Sequence, residues 1–78
     1  MITITLLDGS QFSALTARGA VAAWRNKCRS ASHQSVAGFM RATAHRAHEW
    51  CECPVRTDSA ANFLSDLAAC SLLRMEKN

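Results

Sequence analysis

At 78 residues the chain has room for a single domain, residues 1–78, and not for a second hydrophobic core. Its 49% of hydrophobic residues exclude a disordered chain, and no apolar run reaches the roughly 18–20 residues that cross a bilayer, so no membrane is expected among its partners. The net charge is +3, yet seven of the nine Lys and Arg lie between Arg18 and Arg56 against Glu49 and Glu52 alone, and this basic band suits an acidic partner.

The elements follow in chain order. Ile2-Thr3-Ile4-Thr5-Leu6 alternates and is rich in β-branched residues, which predicts a half-buried strand. Asp8-Gly9 then turns the chain. A two-residue loop would set Ile4 opposite Ser13 and mix the faces. A three-residue loop, Leu7-Asp8-Gly9, instead pairs Ile4 with Phe12 and Ile2 with Ala14, leaving Thr5–Gln11 and Thr3–Ser13 on a polar face. The second register is the one expected.

Thr16 is a candidate N-cap for a helix over 17–29, whose buried stripe is Ala17, Val21, Trp24 and Cys28. Ser32 can cap a longer helix over 33–51, with Val36, Phe39, Met40, Thr43, Ala47 and Trp50 inward. Gly38 would there mark a close helix crossing. Pro54 stops this helix, because the residue before a proline leaves the α region. Asp58 is the expected cap of a third helix over 59–75, which buries Ala60, Leu64, Leu67, Ala68 and Ser71. The fold class is therefore α+β, an antiparallel two-stranded β-hairpin followed by three α-helices, with all five aromatics anchoring a small core.

Chemistry is sparse. His45, His48, Cys51 and Cys53 are zinc-type ligands, but successive helical ligands three apart turn by about 60°, so His45 and Cys51 diverge. Only His48, Cys51 and Cys53 could converge, with Cys28 or Cys70 as a fourth, and neither a metal nor a cofactor is expected. Cys51 with His48 and Glu52 would make a nucleophile, base and acid, a pairing that any helix bearing both residue types produces. No glycine-rich phosphate loop is present, and no enzyme activity is expected. Met1-Ile2-Thr3-Ile4 lacks the basic start and long apolar run of a signal peptide, which leads to a cytoplasmic location with all four cysteines as thiols.

The segment from Ile2 to Ser10, leading through a second strand into Ala20-Val21-Ala22-Ala23-Trp24, resembles small phage and mobile-element proteins. The anti-CRISPR proteins are their best-known class. The opening hairpin also looks like the start of TGS and ubiquitin-like domains, from which the helix-rich remainder departs. The first resemblance implies a non-enzymatic inhibitor that blocks a host protein or ribonucleoprotein complex by steric and electrostatic contact with an acidic surface. The residues expected to make that contact are Arg18, Arg25, Arg29, Arg41, His45 and Arg46, the outward charges of the first two helices. A small nucleic-acid-binding regulator using the same residues on phosphates is the alternative, and a zinc-stabilised adaptor the third reading. A homodimer is also expected. A lone hairpin leaves both edges unpaired, and Phe63, Cys70 and Leu73 lie off the main stripe of the third helix.

Overall fold

The computed structural model describes residues 1–28 and 34–77. Strand β1 (Ile2–Leu6) turns back into β2 (Gln11–Ala14) with Ile2 opposite Ala14, Thr3 opposite Ser13, Ile4 opposite Phe12 and Thr5 opposite Gln11. This is the register of the three-residue loop. Gly9 sits at φ 92°, a conformation that suits a residue without a Cβ, and its N–H donates to Leu6 O at 3.0 Å. Asp8 fixes the same turn by accepting from the Ser10 N–H at 2.9 Å, and that hydrogen bond holds its carboxyl below the usual carboxylate range.

Helix α1 (Ala17–Lys27) starts where expected, with the Thr16 hydroxyl accepting from the Gly19 N–H at 3.0 Å. A Cβ at Gly19 would lie 3.0 Å from Ala14 Cβ, so this glycine lets α1 come up against β2. Helix α2 (Val36–Cys51) begins after Ser35, whose hydroxyl takes the Gly38 N–H at 3.0 Å. The cap expected at Ser32 lies outside the described residues. A Cβ on Gly38 would meet only Ser35 Oγ at 3.2 Å, so this glycine sits under the cap rather than at the expected helix crossing. Helix α3 (Ala60–Ala69) is capped by Ser59, not Asp58, through the Asn62 N–H at 3.1 Å. Asp58 instead receives the Asn62 side-chain amide.

The third helix is shorter than its apolar spacing suggests. Ser71 adopts φ 61°, and the Ser71 and Leu72 N–H groups close back on Ala68 O and Leu67 O, each at 3.0 Å. The chain leaves this turn as a third strand, β3 (Leu73–Lys77), antiparallel to β1 with Leu6 opposite Leu73 and Ile4 opposite Met75. The element order is thus ββαααβ and the sheet order β2-β1-β3, an α+β fold that corrects the expected hairpin followed by helices alone. Leu73-Arg74-Met75-Glu76 alternates as a strand does, and β1 offers it a free row of backbone donors and acceptors. Those two terms outweigh the helical spacing of Leu64, Leu67, Ala68 and Ser71, which would have carried the helix on.

One sheet face carries Ile2, Ile4, Leu6, Phe12, Leu73 and Met75 toward the helices, and the other carries Thr3, Thr5, Gln11, Ser13, Arg74 and Glu76. Ile4, Val21, Phe39, Phe63, Leu64 and Leu67 form the centre of the core. Trp24 packs edge-on to Phe39, with ring centroids 5.1 Å apart, and lies 6.2 Å from Phe63. Both grounds for a homodimer are thereby weakened. One edge of β1 is covered by β3, Phe63 is fully buried, and Leu73 is buried within the sheet.

The cysteines also depart from expectation. Cys53 and Cys70 are joined as a disulfide with Cα atoms 6.3 Å apart, while Cys28 and Cys51 are free, so the four are not all thiols. The turn after α2 and the turn after α3 meet here. Arg56 reinforces the junction, its backbone N–H and guanidinium donating to the Asp66 carboxylate at 2.9, 3.0 and 3.2 Å.

Candidate functional site

The expected contact residues among those described do not form one group. Arg18 is exposed in the first turn of α1, and Arg41 is exposed on α2; neither makes a hydrogen bond or ion pair among the described residues. His45 stands one turn beyond Arg41, with Nε2 2.9 Å from Glu49 Oε1. Arg25 is turned inward instead. Its guanidinium is half-buried, donating to Gln34 O at 3.2 Å and to Asn26 Oδ1 at 2.9 Å, so it ties the start of α2 to α1. Arg29 lies outside the described residues. Arg46 points away from Arg41 and His45, as five residues of helix require, and reaches Thr43 Oγ1 at 3.4 Å.

Arg46 leads to the feature that sequence reasoning missed. Trp50, one turn further along α2, is 77% exposed, although its spacing from Val36, Phe39, Met40 and Ala47 placed it in the core. Beside it runs a groove of about 240 Å³. Thr43, Arg46, Ala47, Trp50 and Cys51 of α2 form one wall, and Leu67, Leu72 and Leu73 the other, with Trp24 also contributing. The stripe did not identify Trp50 because Cys53, 2% exposed and bonded to Cys70, takes the buried place between the ends of α2 and α3. The local sequence carried a trace of this, since Trp50 is set among His48, Glu49, Cys51 and Glu52.

The chain matches no family model, no curated protein and no solved structure. Its own geometry is therefore the whole basis for a functional reading.

A larger, more polar hollow of about 640 Å³ opens between the ends of β1 and β3 and the last turn of α3, lined by Thr5, Leu6, Leu7, Ser71 and Arg74 among others. It lacks an aromatic side chain, and its one lining cation is Arg74. The Trp50 groove is the better recognition surface, since it joins an exposed indole, an apolar floor and a guanidinium at the rim, the residue types that dominate binding energy at interfaces. No three of His, Cys, Asp or Glu among the described residues form a metal-ligand set. Cys53, once a candidate ligand, is held in the disulfide.

Proposed function

We propose that the chain is a non-enzymatic binding module, an inhibitor of the anti-CRISPR kind that occupies an acidic, apolar-anchored surface of a host protein or ribonucleoprotein complex. The observation that carries this reading is Trp50, 77% exposed at the lip of an apolar groove. Leaving so large a ring in water costs about 2 kcal/mol relative to burying it, a cost that a partner's surface removes. Arg46 at the rim supplies a charge that favours an acidic partner and speeds its approach, while Arg41 and His45 lie on a separate arc of α2. Inhibition then needs no chemistry, since a rigid domain seated on a working surface blocks it.

Capture from host lysate with wild-type bait beside a Trp50→Ala/Arg46→Glu bait tests this reading. It predicts one protein or complex held by the wild type and lost from the variant. The alternative, a small nucleic-acid-binding regulator, draws on the exposed guanidiniums of Arg18 and Arg41. It would instead show as DNA or RNA binding that weakens steeply with salt and is indifferent to Trp50. A cytosolic site of action fits an inhibitor of a host complex. The Cys53–Cys70 bond would then be one of the few cytosolic disulfides, which are mostly transient or redox-active.

A further inference from the structure

Three of the four cysteines stand at the end of α2 or in the turns that follow α2 and α3. Cys51 ends α2 as an exposed free thiol, and Cys53 and Cys70 form the disulfide two residues further on. The two residues of that bond differ in exposure, because Cys53 is 2% exposed whereas Cys70 lies at the surface. Glu52 between the first two cysteines adopts a left-handed conformation, φ 53° and ψ 34°, and the Cys53 N–H returns to Ala47 O at 3.3 Å. The chain is therefore folded back on itself here. Two trans peptide steps cannot separate Cys51 and Cys53 Cα atoms by more than about 7.6 Å, and the turn brings them closer than that limit. Cys51 also shares the groove with Leu67 and Leu72, which bracket Cys70 in sequence. One more contact bears on the chemistry: Cys53 Sγ lies 3.9 Å from Asp66 O, so a thiol at Cys53 would have an acceptor in place.

We infer that Cys51, Cys53 and Cys70 form a thiol–disulfide exchange site with two alternative cross-links, Cys53–Cys70 and Cys51–Cys70. The Cys51 thiol gives up its proton and the thiolate attacks the accessible Cys70 Sγ. The Cys51–Cys70 bond forms as the Cys53–Cys70 bond breaks. Cys53 leaves as a thiolate and takes up a proton, and the resulting S–H donates a hydrogen bond to Asp66 O. One disulfide and one thiol stand on each side of the step, so neither oxidant nor reductant is consumed. The cross-link moves from the turn after α2 to the last residue of the helix, next to Trp50, and the wall of the groove is reset with it. The exchange is independent of which partner the groove takes.

Differential alkylation of the folded protein tests the site. Wild type is held without reductant near the ordinary thiol pKa of about 8.5 and, in parallel, at about pH 5, where thiolate is scarce. Free thiols are then capped with iodoacetamide, and cleavage after Glu52 separates Cys51 from Cys53 for mass mapping. The expected result is a Cys51–Cys70 cross-link with a capped Cys53, appearing at the higher pH, slowed more than tenfold at the lower, and abolished by Cys51→Ser. Capping confined to Cys28 and Cys51 at both values, or capping of all four cysteines, would overturn the proposal. Cys53→Ser provides a second decision in oxidised glutathione. A Cys51–Cys70 cross-link supports exchange, and glutathione on both cysteines contradicts it.

Discussion

Trp24 and Trp50 show how far one residue type can diverge within a single fold. Trp24 lies against Phe39 and Phe63 at the centre of the helical layer, so Trp24→Ala should remove about 3–5 kcal/mol, as large core aromatics do. A loss below about 1 kcal/mol in denaturant melts would mean that the three rings do not share a core. Trp50→Ala, at a position 77% exposed, should leave stability within about 0.5 kcal/mol of wild type. A cooperative melt shifted well beyond that would return Trp50 to the core. Asp66 tests the junction of α2 and α3 through pH. The Arg56 side chain, and then its backbone N–H, hold this carboxyl below the usual carboxylate range. A depressed folded-state value contributes stability above the unfolded value of about 3.9 and loses it as pH falls through the folded one. The melting-temperature gap between wild type and Asp66→Asn should therefore be full at pH 7 and close below about pH 4. A gap that stays constant down to pH 2 would show that the carboxylate charge does not matter there.

At the scale of elements, the hairpin was legible to its last pair, because Gly9 and the alternation of Ile and Thr permit one register that keeps the faces unmixed. The helix starts were legible to within a residue or so at Thr16 and Ser59, where a short hydroxyl side chain can reach an N–H three residues on. The end of the chain was not, since Leu64, Leu67, Ala68 and Ser71 carry a helical stripe up to the point where Leu73 and Met75 begin the alternation of a strand. The decision belongs to β1, whose unpaired edge lies far away in sequence and cannot be seen from the local pattern. Leu73→Ala separates the two. In β3 this side chain is 5% exposed, so its truncation should cost about 2–5 kcal/mol, whereas in a fraying helix end it would cost almost nothing. The disulfide was equally hidden, because it depends on α2 and α3 ending side by side.

For the whole molecule, the fold places its helices on one sheet face, so the basic band divides rather than forming a single patch. Arg25 holds the start of α2, Arg41 and His45 line its outer arc, and Arg46 turns to the groove with Trp50. Charge counting could place cations in the middle of the chain but could not tell a tether from a contact. A domain of this size hides only about 60% of its unfolded surface, and keeping a tryptophan outside the core has a large relative cost. The proposed recognition of an acidic partner through an apolar anchor would offset that cost. Selection of a displayed random-peptide library on immobilised wild-type protein, beside the folded Trp50→Ala variant, tests this most directly. The account predicts that wild type enriches peptides with an apolar side chain flanked by Asp or Glu, and that the variant loses them. Enrichment of the same peptides by both proteins, or of none by either, would contradict it.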